Sequence, residues 1–176
     1  YMDVVTGAPR YGNTQQGYAD DSCWSRGQAW GIYGFLLSYI YTGDETMIAL
    51  SKRLANYFLN RLPEDYVCHW DLALVDTDAV RDSSAAAIAA CGLLDLTKAL
   101  PATDAHRMQY EECALHIIHS LTEHYLSTHD ESCEGLLMHS VYHMPAGKGV
   151  DECCSWGDYL YLEALIRVRQ CWKPYW

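Results

Sequence analysis

The sequence lacks several features that would indicate common classes of protein. No apolar run reaches the roughly 18 residues of a membrane-spanning helix, and no charged-then-apolar leader is present. It contains neither a glycine-rich phosphate loop nor a Gly-x-Ser-x-Gly nucleophile elbow, which argues against nucleotide chemistry and acyl transfer. Only 12 of the 176 residues are Lys or Arg, against 23 Asp and Glu. The resulting net charge of −11 argues against partners such as nucleic acids and anionic membranes.

The eight cysteines are scattered, and none forms a Cys-x-x-Cys pair. Zinc ribbons and thioredoxin-like sites need that spacing, so the pattern argues against both. We interpret most of the thiols as buried and reduced in a cytoplasmic protein, with an exported, disulfide-bonded form as the alternative. Cys113, His116 and His119 carry side chains that can bind a metal and lie three residues apart on one predicted helix. The remaining polar positions of that helix face solvent, which argues against a metal site there. We therefore expect no metal and no other cofactor.

Hydrophobic side chains that recur every three to four residues predict a mainly helical fold. A glycine stop and an Asp N-cap at 42–44 separate the first two helices, and Pro63 ends the second. The long connections contain a candidate strand at 67–70 and a candidate hairpin at 136–142. The predicted helices cover residues 26–41, 45–61, 85–96 after an Asp82 cap, 106–125 and 157–169.

Tight turns alternate with long connections, so the pattern predicts an all-α fold of repeated helical hairpins, an α/α toroid or part of one. We treat residues 1–176 as a single domain. Two and a half hairpins cannot close a ring, and we expect a missing N-terminal half or a homo-oligomer to cover the open apolar edges. The long loops should meet at one face, where the N-termini of the inner helices favour an anion.

The densest group of chemically useful side chains lies at residues 15–31, where the first helix begins. Trp24 and Trp30 offer flat rings for the C–H face of a sugar, and Arg26 offers forked donors for a carboxylate. The alternative is an ordinary helix start whose Trp30 packs in the core. The hypothesis of a saccharide site depends mainly on Arg26, because it directly precedes a helix that begins with small residues.

Four acidic residues near helix starts have two interpretations. Asp20 and Asp21 are suitable general acids, but acidic side chains also stabilise helix N-termini. Asp82 and Asp158 lie at the starts of inner helices, where capping explains them without catalysis.

Weaker candidates lie on the other long connections. Trp70 would either form a wall of the same face or anchor a buried loop. Tyr142 and His143 would contact an anionic ligand together with Lys148, which lies in a glycine-flanked loop. A solvated loop residue is the alternative for Lys148.

Three ordered motifs span nearly the whole chain. They are Trp-Ser-Arg-Gly-Gln-Ala-Trp-Gly at 24–31, Arg-Asp-Ser-Ser-Ala-Ala-Ala-Ile at 81–88, and Trp-Gly-Asp-Tyr-Leu-Tyr-Leu-Glu-Ala-Leu at 156–165. In these motifs the chain resembles the unsaturated glucuronyl hydrolases, glycoside hydrolase family 88. The resemblance covers the C-terminal half of the family fold and implies roughly half of an (α/α)6 barrel.

The resemblance implies a glycosidase that acts on oligosaccharides left by polysaccharide lyases, whose non-reducing end is a 4,5-unsaturated uronate. In this family an Asp protonates the enol-ether double bond, positive charge develops at C5, and water adds there. The anomeric carbon is not attacked, so the carboxylate-separation rule for retaining and inverting enzymes does not apply. The substrate-binding positions that the resemblance implies are Gln16, Trp24, Arg26, Trp30 and Tyr142.

The two family Asp residues at the reaction centre belong to the N-terminal half, so the resemblance implies no catalytic residue in this chain. Gln15 stands where relatives have His, which would change subsite contacts. Two alternatives remain open. One is a non-catalytic helical-repeat module that binds sugars or a protein, and the other is a truncated gene product.

Overall fold

A computed structural model describes residues 1–74, 78–130 and 132–170. Over these residues the chain forms five α-helices and one two-stranded antiparallel sheet. The helical hairpins confirm the predicted toroid-type fold, and the small sheet is an addition to it. The elements are α1 (Ser25–Thr42), α2 (Glu45–Leu59), α3 (Ser83–Ala99), α4 (Arg107–His124), β1 (Ser140–His143), β2 (Lys148–Glu152) and α5 (Ser155–Arg169).

The tight turn between α1 and α2 forms as predicted. Gly43 ends α1 with a φ of 72°, a left-handed conformation that glycine adopts without steric cost, and its N–H donates to the Tyr39 carbonyl at 2.8 Å. Asp44 then caps α2 by accepting a hydrogen bond from the Thr46 N–H at 2.9 Å. α2 ends at Leu59, two residues earlier than predicted.

α3 is the central helix, because its residues are buried from Ser83 to Thr97. α1 and α5 pack against it, while α2 packs on α1 and α4 packs on α3 as their hairpin partners. The alanine-rich sequence of α3 allows this close approach. A Cβ added to Gly92 would lie only 3.1 Å from the backbone nitrogen of Tyr33 on α1.

A buried ionic cluster joins the three inner helices. Arg167 of α5 pairs with Asp95 of α3, and its Nη2 donates at 2.6 Å both to Glu163 and to the Tyr33 hydroxyl of α1. Burial is the main cause that raises the pKa of Tyr33 far above its ordinary value, so the phenol stays protonated and donates to Glu163 at 2.6 Å. Hydrophobic periodicity indicates only the apolar positions and therefore did not reveal this cluster.

The observed strands differ from the predicted ones. The hairpin begins at β1, four residues later than predicted, and pairs β1 with β2. The backbone N–H groups of residues 136–137 donate to the Asp158 carboxylate at 3.1 and 2.8 Å, and the same segment lies against the chain just after α4 through an isolated bridge between Leu137 and Leu126. At 67–70 no strand forms in the described structure. In place of a strand ladder, the backbone of His69 makes an isolated bridge to Arg81.

The described cysteines divide into three groups. Cys68 and Cys91 are buried free thiols, as predicted, but the prediction does not hold for three free thiols that are only partly buried, Cys23, Cys113 and Cys154. Cys133 and Cys153 form a disulfide that encloses the hairpin, which agrees with the alternative interpretation at this pair. No sequence motif marks this pair, whose members are 20 residues apart, because the fold and not the local sequence brings the two sulfur atoms together.

Apolar side chains stay exposed at the edges of the helical layer, among them Leu162 and Ile166 on α5 and Ile40 on α1. A groove of about 520 Å³ runs between α1 and α5, with Trp30 and Leu37 in its wall. These faces are what an incomplete toroid would leave uncovered. Within the described ranges, no helix combines the length and the apolar character needed to cross a bilayer.

The close contact between α1 and α3 predicts opposite effects for two glycine substitutions. Gly92→Ala should lower the free energy of unfolding, because overpacking against Ile32 and the Tyr33 backbone costs about 1–3 kcal/mol. Gly34→Ala is the control, since nothing lies within 4 Å of its added Cβ and alanine gains about 1 kcal/mol over glycine in a helix. Urea denaturation followed by circular dichroism measures both. Equal stabilisation by the two variants would contradict the close packing.

Candidate functional site

The three inner helices begin at the face that carries the long loops. Arg26, in the first turn of α1, contacts the start of each of the other two. Its Nη1 lies 3.7 Å from Oδ2 of Asp82, the residue before α3. Its guanidinium carbon lies 5.1 Å from the ring centre of Trp156, in the first turn of α5. The helix N-termini therefore meet around one arginine.

A cavity of about 300 Å³ opens at this face. Its wall combines three indoles, a phenol, an amide and a guanidinium. Aromatic faces with a few convergent polar groups are the ordinary construction of a site for a small polar ligand. The lining residues are Gln16, Trp24, Arg26, Trp30, Tyr142 and Trp156.

The five residues predicted from the sequence as substrate-binding positions all line this cavity, and their role in binding stays a prediction. Trp156 was missed as a site residue. Its place in the sequence could have indicated this role, because Trp156 lies at the start of an inner helix and begins the third motif, as Trp24 begins the first.

Arg26 is enclosed in the cavity wall, with 4 % of its surface exposed. Its guanidinium lies between two indoles, with the carbon 4.6 Å from the ring centre of Trp24 and 5.1 Å from that of Trp156. Nη1 donates to the Val141 carbonyl, and Nη2 donates to the Tyr142 carbonyl at 2.7 Å. Two of the five N–H groups of this side chain are thus bonded to the backbone of β1.

The other polar side chain of the cavity binds the same strand. Gln16 Nε2 donates to the Tyr142 carbonyl at 2.8 Å, so this oxygen accepts from both Gln16 and Arg26. The Tyr142 ring is 48 % exposed, with its centre 5.8 Å from that of Trp156. Trp30 is 41 % exposed, which contradicts its alternative interpretation as a core residue.

Asp82 lies beneath the cavity wall and is fully buried. It caps α3 as predicted, because its Oδ1 accepts from the Ala85 N–H at 3.2 Å and from the Ser84 hydroxyl at 2.5 Å. Burial raises the pKa of Asp82 above its ordinary value, while the Ser84 hydrogen bond and the charge of Arg26 act in the opposite direction.

The remaining acidic candidates do not line the cavity. Asp20 is exposed, and its Oδ1 accepts from the Thr14 N–H at 2.9 Å. Asp21 is exposed as well. Asp158 binds the N–H groups of a neighbouring loop and not those of its own helix, so its predicted role as a cap of α5 is wrong.

Three of the weaker candidates lie outside the cavity wall, which Tyr142 alone among them lines. Trp70 is a buried loop anchor, the second of its two interpretations. Lys148 is exposed and pairs through the backbone with His143 in the hairpin. His143 Nδ1 accepts from the Ala146 N–H at 3.2 Å.

The candidate metal cluster on α4 does not form within the part of the chain that the structure describes. No group of three or more His, Cys, Asp or Glu side chains there could hold a metal ion. The His116 ring instead stacks on Tyr66 at 4.8 Å between centres.

Helical hairpins packed side by side, with inner helices that begin at a loop-bearing face, place the chain in the class of α/α toroid proteins. No family model matches the sequence. The chain is 50 % identical over 177 residues to an unsaturated chondroitin disaccharide hydrolase of Streptococcus pneumoniae. It is 41 % identical, also over 177 residues, to an unsaturated glucuronyl hydrolase of Bacillus sp. strain GL1. These alignments cover 100 % of this chain but 45 % and 47 % of the relatives, so the chain spans less than half of their length.

Solved structures show the same similarity. The Bacillus sp. GL1 unsaturated glucuronyl hydrolase superimposes with a TM-score of 0.92 at 41 % identity, over 97 % of this chain and 45 % of that one. A Streptococcus agalactiae variant crystallised with dGlcA-GalNAc6S superimposes with a TM-score of 0.90 at 48 % identity, over 100 % of this chain and 47 % of that one. The chain belongs to the unsaturated glucuronyl hydrolases, a family of glycosidases.

Loss of the buried guanidinium should destabilise the protein. Arg26→Met removes the counter-charge of Asp82 and the donors of two β1 carbonyls, and losing one partner of a buried ion pair costs about 3–5 kcal/mol. Arg53→Met, at an exposed position of α2, is the control and should change the free energy of unfolding by less than about 0.5 kcal/mol. Urea denaturation measures both. A loss at Arg26 as small as that at Arg53 would contradict the network.

Proposed function

We propose that this chain supplies the saccharide-clamping part of an unsaturated glucuronyl hydrolase. The supporting observation is the cavity at the loop-bearing face, which brings all five sequence-predicted binding residues together. The names of the relatives support the same class of substrate. One is an unsaturated chondroitin disaccharide hydrolase, and another was crystallised with dGlcA-GalNAc6S.

The substrate that we propose is an unsaturated uronyl oligosaccharide released by a polysaccharide lyase. Trp24, Trp30 and Tyr142 would offer flat apolar surface to the C–H groups of the pyranose. Gln16 would offer its amide oxygen and its second amide N–H to sugar hydroxyls, because only one N–H of Nε2 donates to the backbone. Arg26 would supply local positive charge in a chain whose net charge of −11 otherwise repels a uronate.

For the whole enzyme we propose hydration of the C4–C5 double bond. A carboxylic acid protonates C4, positive charge develops at C5 toward the ring oxygen, and water adds at C5. The product then rearranges and releases the next sugar. We assign no catalytic residue in this chain, since Asp20 and Asp21 lie outside the cavity wall. The reacting aspartates would belong to the part of the relatives that this chain does not cover.

We propose that residues 1–176 form a single domain whose open edges are covered in the functional protein. The apolar groove between α1 and α5 and the exposed side chains of α5 support this. The remainder of the toroid is the cover that we favour, and a second copy of this chain is the other. A cytoplasmic location stays a prediction: free Cys68 and Cys91 agree with it, whereas the Cys133–Cys153 disulfide favours an oxidising compartment.

Binding should depend on the exposed aromatic wall. Trp30→Ala should weaken binding of dGlcA-GalNAc6S at least about tenfold, since this corresponds to the loss of about 1.4 kcal/mol of stacking contact. Tyr57→Ala is the control, because it removes a ring of similar exposure, 38 %, from α2 outside the cavity. Isothermal titration calorimetry measures both. Unchanged affinity in Trp30→Ala, or no binding by the unmodified chain, would overturn the proposed site.

The chain alone should not turn substrate over. The absorbance of the C4–C5 double bond should persist in the presence of this chain, because the proposed proton donor lies elsewhere. Fusion to the uncovered part of the Streptococcus pneumoniae relative should restore the loss of absorbance. Turnover by the chain alone would locate a catalytic acid within it, contrary to the proposal. A fusion that binds the disaccharide without reaction would favour the non-catalytic sugar-binding module.

A further inference from the structure

Asp82 does not line the proposed saccharide cavity, but it lies where three parts of the fold meet. Its Oδ1 caps α3 through the Ala85 N–H and also faces the Val141 N–H of β1 at 3.4 Å. Its Oδ2 faces Arg26 Nη1 of α1 at 3.7 Å. One buried carboxylate therefore contacts the central helix, the hairpin and the arginine of the cavity wall.

Capping alone does not explain an aspartate at this position. Asp82 Oδ2 is buried and accepts no hydrogen bond in the described structure. A buried carboxylate oxygen without a donor costs free energy, whereas serine or asparagine would cap the helix without a buried charge. The additional property of the aspartate is its negative charge, which faces the guanidinium of Arg26.

We propose that Asp82 is a positioning residue of the saccharide cavity. Its carboxylate holds Arg26 between the two indoles, and through Arg26 and the Val141 N–H it holds the strand that carries Tyr142. This inference rests on the proposed function and extends it to a residue that does not line the cavity.

The contacts show how the effect reaches the cavity. Arg26 and Gln16 both donate to the Tyr142 carbonyl, at 2.7 and 2.8 Å. An arginine held by the backbone of β1 alone would move with that strand. Because Asp82 belongs to the cap of α3, it ties the same guanidinium to the most deeply buried helix. Loss of this charge should let the Arg26 side chain and β1 move relative to Trp156.

The test compares Asp82→Asn with Asp158→Asn. Asparagine retains an N-cap but removes the charge that faces Arg26. Asp158 is the matched control, because it also accepts two backbone N–H groups near the start of an inner helix and does not line the cavity. One measurement is the affinity for dGlcA-GalNAc6S by calorimetry. The other is the rate at which phenylglyoxal modifies Arg26, followed by mass spectrometry of the peptide.

We expect Asp82→Asn to weaken binding and to accelerate Arg26 modification, each at least about tenfold. Asp158→Asn should leave both the affinity and the modification rate within about twofold of those of the chain without substitutions. Circular dichroism checks the folding of each variant. If Asp82→Asn does not fold, Asp82→Ser, which also retains a cap, takes its place. Equal effects of the Asp82 and Asp158 variants, or an Arg26 that stays protected without the charge, would overturn the inference.

The outcomes separate the two proposals. If the chain without substitutions does not bind the disaccharide, the proposed function fails. The rate at which phenylglyoxal modifies Arg26 then decides the role of Asp82 by itself. If Trp30→Ala weakens binding while Asp82→Asn neither weakens it nor exposes Arg26, the proposed function stands and the inference about Asp82 is wrong.

Discussion

The enclosed guanidinium of Arg26 is the interaction on which the loop-bearing face depends. A charge that is 4 % exposed is stable only with several partners, and here two indoles, two carbonyls of β1 and the carboxylate of Asp82 surround it. These partners come from α1, α5, β1 and the cap of α3. The arginine therefore links elements that hydrogen bonds within helices would leave separate, and the cavity wall forms around it.

Much of the helical fold was predictable because its signals are local. Apolar spacing, the Gly43 stop and the Asp44 cap act within a few residues, and the observed helix ends agree with the predicted ones to within three residues. The hairpin was misplaced because the partners of residues 136–137 lie outside it: Leu137 makes an isolated bridge to Leu126, and the Asp158 carboxylate, more than 20 residues away, accepts from the two N–H groups. The Arg167 cluster was invisible for a related reason, since charged residues in a core leave no periodic signal.

The candidate site shows the same limit. Side-chain types and the family resemblance identified five of the six cavity residues, of which Trp24, Arg26 and Trp30 lie in the first motif. They did not reveal the orientation of Arg26, whose acceptor at Val141 lies 115 residues along the chain. The Arg26 side chain, whose forked donors were predicted to bind a carboxylate, therefore also holds the strand that carries Tyr142. The sequence alone does not distinguish a binding role of Arg26 from a structural one, whereas the contacts of its side chain do.

We propose that the cavity around Arg26 binds an unsaturated uronyl sugar. Indole N–H signals in a ¹⁵N-correlated NMR spectrum, assigned by substitution, test it most directly during titration with dGlcA-GalNAc6S. If the sugar binds in the cavity, we expect saturable shifts for Trp24, Trp30 and Trp156, which line it, and an unchanged signal for Trp70, which is buried outside it. Unchanged signals for the three cavity indoles, or a shift of Trp70 alone, would contradict binding of the sugar in this cavity.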